Sequence, residues 1–316
     1  MRERAVVLPA IIGPTAVGKT DFSLLLAEEL DGEIISVDSR QIYRYLDVGT
    51  DKVSPEVRRK IIHHCIDVAD PDQVFSVADF VKCASEAVER ILNRNKVPIF
   101  AGGTPFYFKA LEGGVLSDLP SDMNVRRAIE LEMEERGREA MYEELKSLDP
   151  DAAVRINPND SHRIVRALEI YRASGKPPTW WYRNNPPSSG GFKMMYIGLN
   201  RPRDELYRRI DERVRKQFQS GYPEEVLWLL SNRFDERLPS MQGFGYRELI
   251  AWAKGEMTIE EAMAGDVRYT KAFARRQMTW FKRFPVYRWY DLSLISPEGL
   301  LQEVRDEVFR QMEARQ

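Results

Sequence analysis

The chain has little with which to build a crosslinked or metal-clustered protein. Of its 316 residues only two are cysteine, Cys65 and Cys83, and three are histidine. Two thiols cannot make a disulfide framework and are too few for a cysteine-rich zinc module. His63, His64 and Cys65 are adjacent, but neighbouring side chains on a strand or helix point apart, so ordinary structure is the expectation there. Long apolar runs are absent too. VVLPAII near the N-terminus falls far short of the roughly 20 residues that span a bilayer, and MRERAVV lacks a signal-peptide core. A cytoplasmic protein without membrane segments is expected. Excess charge of one sign is also missing: 47 Lys and Arg stand against 49 Asp and Glu, a net of -2. The molecule as a whole carries no basic footprint for nucleic acid, so any such surface must be local.

What is present describes a folded protein. Apolar residues at 43% and charged residues at 30% exclude disorder, collagen and coiled coil as the main state. The length suits about two domains, or one enlarged by an insertion. Two stretches are locally basic. Arg155 to Lys216 holds 14 basic and 6 acidic residues, and Lys271 to Arg288 carries Lys271, Arg275, Arg276, Lys282, Arg283 and Arg288 with no acid. Either could meet a polyanion or simply be a solvated helix face.

Apolar, β-branched residues at 5 to 12 lead through a Gly-rich turn into helical periodicity at Thr20 to Leu30. Further strands are predicted at 33 to 37, ending in Asp38, and at 97 to 101, ending in Gly102 and Gly103, with a helix over Val77 to Asn93 between them. Such alternation implies a parallel sheet, whose ligands sit at the carboxyl ends of the strands. The loops at Gly13, Asp38 and Gly102 should therefore converge. From about Ser121 to Gly175 the sequence is charged and helix-forming without strand signals, and PPSSGG at 186 to 191 reads as a linker. A strand at 194 to 200 and helices at 203 to 219, 223 to 231 and about 259 to 284 follow. The predicted layout is a first core part at 1–120, an all-helical insertion at 121–190 and a second core part at 191–316.

Gly13 to Thr20 reads GPTAVGKT, which fits G-x-x-x-x-G-K-[ST] between a strand and a helix. The residues Gly13, Pro14, Thr15, Ala16, Val17, Gly18, Lys19 and Thr20 are thus a candidate cradle for a di- or triphosphate. Backbone N–H groups and the helix terminus would face the phosphates, Lys19 would add a point charge, and the Thr20 hydroxyl could reach Mg²⁺. A nucleotide hydrolase normally places a metal-holding Asp at the end of a later apolar strand, but VPIFA ends in Gly102, Gly103 and Thr104. The nearest acid is Asp38. It is either a surface capping residue or a general base facing the cradle.

The motifs GPTAVGKT, SVDSRQIYR, HHCIDVADPDQVFSVADF, AGGTPFYF, NDSHRIVRALEIY, RPRDELYRRIDERV and MQGFGYRE occur in this order. Together they resemble the tRNA isopentenyltransferase family, whose bacterial members are tRNA dimethylallyltransferases, and the resemblance runs nearly end to end. It implies an α/β fold with a nucleotide-hydrolase-like phosphate-loop core, its parallel sheet flanked by helices, plus the helical insertion contacting tRNA. The implied activity moves a dimethylallyl group from dimethylallyl diphosphate to the exocyclic amine of the adenosine following the anticodon. The implied partners are that diphosphate, Mg²⁺ and the anticodon stem-loop of tRNA, with the enzyme acting as a monomer. Asp38 would be the base, Thr104 would lie beside the reacting amine, and Arg203 would reach the diphosphate. The family positions for tRNA are Asp38, Ser39, Arg40, Gln41, Thr104, Arg126, His162, Arg163, Ile164, Val165, Arg166, Gln242, Gly243, Phe244, Gly245, Tyr246 and Arg247. Pro105 departs from the small residue usual after the Thr and constrains the backbone at Thr104. Trp280, Phe281, Phe284 and Tyr287, interleaved with the late basic run, are expected in the core. The competing readings are a small-molecule kinase using the cradle for ATP, an adenylate isopentenyltransferase, and a nucleotide-gated RNA-binding switch.

Overall fold

The computed structural model describes residues 6–116, 119–185 and 191–313. The strands are β1 (Val7–Ile12), β2 (Gly32–Val37), β3 (His63–His64), β4 (Val97–Gly102), β5 (Lys193–Asn200) and β6 (Val286–Asp291). The first helices are α1 (Lys19–Glu29), α2 (Pro55–Lys60), α3 (Val77–Leu92) and α4 (Pro105–Gly113). Five follow in the middle of the chain: α5 (Met123–Arg136), α6 (Arg138–Leu148), α7 (Pro150–Arg155), α8 (Ser161–Ser174) and α9 (Pro178–Asn184). The last are α10 (Arg203–Gln219), α11 (Tyr222–Ser231), α12 (Tyr246–Ala253), α13 (Ile259–Phe281) and α14 (Pro297–Glu313).

The six strands form one sheet in the order β3-β2-β4-β1-β5-β6, with every pairing parallel. Parallel sheets are covered on both faces, which is why β1 reads as an unbroken apolar run and why β1 and β2 are buried throughout, the polar Glu33 and Ser36 of β2 included. Successive side chains serve opposite layers. Ile197 and Leu199 of β5 pack with Phe22 and Leu26 of α1, Ile210 of α10 and Val304 of α14. Tyr196, one residue before Ile197 and so on the opposite face, meets Phe108 and Phe284 edge-on. Ile12 pairs with Gly102, and Gly102 pairs with Val37. The register therefore sets the loops after β1, β2 and β4 at one level, as the sequence pattern implied.

The chain forms two compact units, Met1–Glu112 with Ser189–Gln316, and Gly113–Ser188. Among its described residues the second has helices α5 to α9 and no named strand, packed around Ile129, Met141, Leu145, Ile164, Val165 and Leu168. Of the predicted linker at 186–191, residues 186–190 lie outside the described residues. Two strands escaped the sequence reading. β3 is two residues long, and β6 is an edge strand within a segment dense in cations. Helix α13 stops at Phe281 instead of 284, because Pro285 disfavours helical backbone at the residue before it. Phe281 and Phe284 are interior, whereas Trp280 at 37% and Tyr287 at 44% exposure are not, which corrects the expectation for those two rings. Among the described residues no helix is long and apolar enough to cross a membrane.

Candidate active site

A cavity of about 560 Å³ opens where the three loops meet. Its wall includes Thr15, Ala16, Gly18, Lys19 and Thr20 of the phosphate loop, Asp38 and Gln41 after β2, and Gly102 and Gly103 after β4. The loop's curvature depends on Gly18, whose φ of 111° precedes α1 and would strain any residue with a Cβ. Lys19 folds over the loop and donates to the carbonyls of Gly13 at 3.0 Å and Pro14 at 2.8 Å. Burial pulls its pKa from 10.5 down to about 7, a shift that the Asp38 carboxylate only partly offsets. A buried ammonium lacking a full counter-charge is the electrostatic signature of an anion site.

Helix α10 grips the loop from outside. Arg209 Nε donates to the Ala16 carbonyl at 2.8 Å, and one turn later Arg213 Nη1 donates to the Thr15 hydroxyl at 2.7 Å. Both line the cavity with Lys216. Arg213 Nε is buried without a hydrogen-bond partner among the described residues, a donor for which the protein supplies no acceptor. The structure does not bring Arg203 here. It is exposed at the start of α10 with its guanidinium 5.1 Å from the centre of the Tyr207 ring, and it is not part of the cavity wall. The alternation that points Arg209 and Arg213 inward was legible in RRIDERV, but only the position of the loop against α10 identifies that face.

Asp38 faces the cavity and holds the turn after β2 with one oxygen. Its Oδ1 accepts from the backbone N–H of Arg40 at 2.8 Å and of Gln41 at 3.3 Å. No helix directly follows Ser39, which corrects the helix-capping reading of this residue, and Oδ2 has no partner among the described residues. Thr104 Oγ1 accepts from Ser39 N–H at 3.2 Å, and Thr104 N–H donates to the Val37 carbonyl, tying the loop after β4 to the one after β2. Pro105 is the first residue of α4, where its absent N–H leaves no bond unmade and its fixed φ suits the helix.

The remaining expected positions divide by burial. Arg40 donates to the carbonyls of Pro239 and Ser240, both at 2.8 Å, and so joins the segment after β2 to the loop before α12. Gln242 on that loop and Arg247 in the first turn of α12 are exposed, Phe244 packs on Phe273, and Tyr246 is interior with its hydroxyl donating to Glu225. In the helical unit His162 and Arg163 are exposed, and Arg126 and Arg166 are half-buried beside the fully buried Glu169. Ile164 and Val165 belong to that unit's core, so their side chains cannot reach a ligand. Arg275, Arg276, Lys282 and Arg283 are exposed without a carboxylate partner among the described residues, whereas Lys271 pairs with Asp211 and Arg288 with Glu303. His64 bonds Glu33, Cys65 Sγ faces Cys83 Sγ at 3.5 Å, and His63, which bonds the Ile61 carbonyl, also lines the cavity.

A cation could sit at Thr20. This residue is exposed on the cavity wall, and its hydroxyl has no protein partner among the described residues. No group of three or more His, Cys, Asp or Glu side chains that could hold a metal occurs among them. An oxygen-only set of one hydroxyl, phosphate oxygens and waters fits Mg²⁺, which rarely relies on an all-protein cage.

A phosphate-binding loop at the carboxyl end of a parallel sheet, walled by arginines and faced by one carboxylate, defines a phosphate-loop α/β protein. The IPP transferase family model matches residues 41–284. The chain is similar to the tRNA dimethylallyltransferase of Alkaliphilus oremlandii, at 42% identity over 294 residues that cover 93% of each chain. It is also similar to the crystal structure of the full-length tRNA isopentenylpyrophosphate transferase from Bacillus halodurans. There the TM-score is 0.71 and the identity 35%, over 98% of this chain and 97% of that one. A eukaryotic dimethylallyltransferase acting on tRNA gives a TM-score of 0.78 at 25% identity, over 97% of this chain and 80% of that one. The chain belongs to the IPP transferase family.

Proposed function

We infer that this protein transfers a dimethylallyl group from dimethylallyl diphosphate to the exocyclic amine of the adenosine following the anticodon in tRNA. The observation that carries the reading is one cavity holding both a cationic phosphate cradle and the free oxygen of Asp38, in a chain similar over nearly its whole length to enzymes of that name. The amine of adenine is a poor nucleophile because its lone pair is delocalised into the ring. As nitrogen bonds to the allylic carbon, Asp38 Oδ2 takes the N–H proton, and the electrons of the breaking carbon–oxygen bond leave with the diphosphate. Lys19, Arg209 and Arg213 meet the charge that grows on that leaving group, a contribution preorganised by their bonds to the loop. Arg209 and Arg213 take the part that the resemblance assigned to Arg203. Mg²⁺ held at Thr20 would supply further neutralisation of the diphosphate.

The target base must leave its stack to enter such a cavity. Arg126, His162, Arg163, Gln242, Arg247 and the unpaired cations of α13 and the turn after it are the side chains available to hold the anticodon stem-loop. Each phosphate contact adds affinity that salt weakens. The protein acts as a monomer in the cytoplasm in this reading.

Radiolabelled dimethylallyl diphosphate with unmodified tRNA, run beside ATP with candidate acceptor alcohols and beside free AMP, tests the assignment. Label in tRNA at the adenosine after the anticodon is the expected result. Phosphate transfer from ATP, or label in AMP with none in tRNA, would overturn it.

A further inference from the structure

We propose that Gln277 is a positioning residue that locks the phosphate cradle and the amine-facing loop at one spacing, which deepens the reading of this cavity as a prenyl-transfer site. Gln277 lies on α13, only 3% exposed, and makes two bonds to backbone far away in sequence. Thr15 N–H in the cradle donates to its Oε1 at 2.8 Å, and its Nε2 donates to the Gly103 carbonyl at 2.6 Å. The amide cannot be turned round, because a backbone N–H only donates and a carbonyl only accepts.

Both peptide groups continue the connection. The peptide that supplies Thr15 N–H presents the Pro14 carbonyl at its other end, and that oxygen accepts from Lys19 Nζ at 2.8 Å. The peptide that supplies the Gly103 carbonyl presents Thr104 N–H, which donates to the Val37 carbonyl at 3.2 Å, one residue before Asp38. An unbroken line of hydrogen bonds thus runs from the ammonium that meets the leaving group to the strand end that carries the base. Burial strengthens each link and lets neighbouring links polarise one another. The sheet alone does not make this tie, because β1 and β2 are separated by β4. The approach is also tight: a Cβ on Gly103 would come within 2.4 Å of Gln277 Nε2.

Gln277 touches none of the reacting atoms in this scheme. It acts through Lys19 and through the Thr104 loop, so its loss should alter the distance between nucleophile and leaving group more than the binding of either. Misplacement by about 1 Å is enough to slow such a reaction on the order of 100-fold.

The test uses the full chain with Gln277→Met, which keeps length and removes both bonds, and with Gln277→Glu. For Gln277→Met, kcat should fall about 10- to 100-fold, with the KM for dimethylallyl diphosphate and the tRNA Kd held within about threefold. Hydrogen exchange at the Thr15 amide should accelerate, with the melting temperature close to the wild type. For Gln277→Glu, activity relative to wild type should recover as pH falls, because the neutral carboxyl again offers one acceptor and one donor. A role in packing alone would give no such recovery. A folded Gln277→Met variant with turnover within twofold of wild type overturns the proposal, as does an unchanged Thr15 exchange rate or a Gln277→Glu ratio flat with pH. If wild-type protein transfers no prenyl group to tRNA, the functional reading fails separately. Thr15 exchange then judges the clip by itself, and a wild-type rate in folded Gln277→Met overturns it.

Discussion

Arg213 donates to the Thr15 hydroxyl at 2.7 Å, while Arg203, ten residues earlier on the same helix, lies over the Tyr207 ring away from the cavity. Arg213→Ala should therefore lower kcat/KM about 10²- to 10³-fold, the range for losing one preorganised donor to a developing oxyanion. Arg203→Ala should stay within about threefold of wild type. Steady-state kinetics with dimethylallyl diphosphate as varied substrate decides it, and a reversal of the two magnitudes would return the diphosphate contact to Arg203.

Asp38→Asn preserves the turn bonds to Arg40 and Gln41, since an amide oxygen accepts as a carboxylate does. What it removes is the proton acceptor. Turnover should fall about 10²- to 10⁴-fold with tRNA affinity within about threefold, measured by single-turnover transfer and filter binding. An equal loss of binding and turnover would contradict the base assignment.

Lys19 titrates near 7 when the cradle holds no anion, because burial disfavours its charged form. A bound diphosphate raises that value. Binding above pH 7 must then draw in a proton, and affinity for inorganic pyrophosphate should fall as pH rises from 7 toward 9. Calorimetry in buffers of different ionisation heat measures the proton uptake, and Lys19→Met separates it from protons taken up by the ligand. Uptake equal in the two proteins would sink the prediction.

In the helical unit the neighbours His162 and Ile164 should separate function from stability. Ile164 is fully buried, so Ile164→Ala should cost about 2–5 kcal/mol in thermal or denaturant unfolding. His162→Ala, at an exposed position, should change stability by no more than about 0.5 kcal/mol. The contrast would fail if both were neutral.

Arg247 is exposed at the start of α12 above the Tyr269 ring. Arg247→Ala should weaken tRNA binding and reduce the slope of log Kd against log salt by about 0.7–0.9 if it contacts one phosphate. Titrations at several salt concentrations measure it, and an unchanged slope would remove Arg247 from the backbone contacts. Arg126→Ala is expected to behave in the same way, although its guanidinium is shared with Glu130 and Glu169.

Where local chemistry decides structure, the sequence was readable. The phosphate loop needs its glycines and lysine in one short stretch, the buried strands need continuous apolar runs, and Arg203–Gln219 needs helical spacing, so each could be located from neighbours a few residues away. β6 was not readable in the same way. VYRWYD is half-exposed at a sheet edge and becomes a strand by pairing with β5, some 90 residues earlier.

The sequence by itself determined the family's ordered motifs, the α/β alternation, the cradle and the acid after β2, because periodicity and turn chemistry are local. Tertiary structure alone decided which arginines face the cradle, which of the expected RNA contacts are interior, and that a glutamine 262 residues from Thr15 closes against it. Those outcomes depend on which helix packs against which loop, and a side chain's direction across such a contact leaves no trace in its own neighbours along the chain.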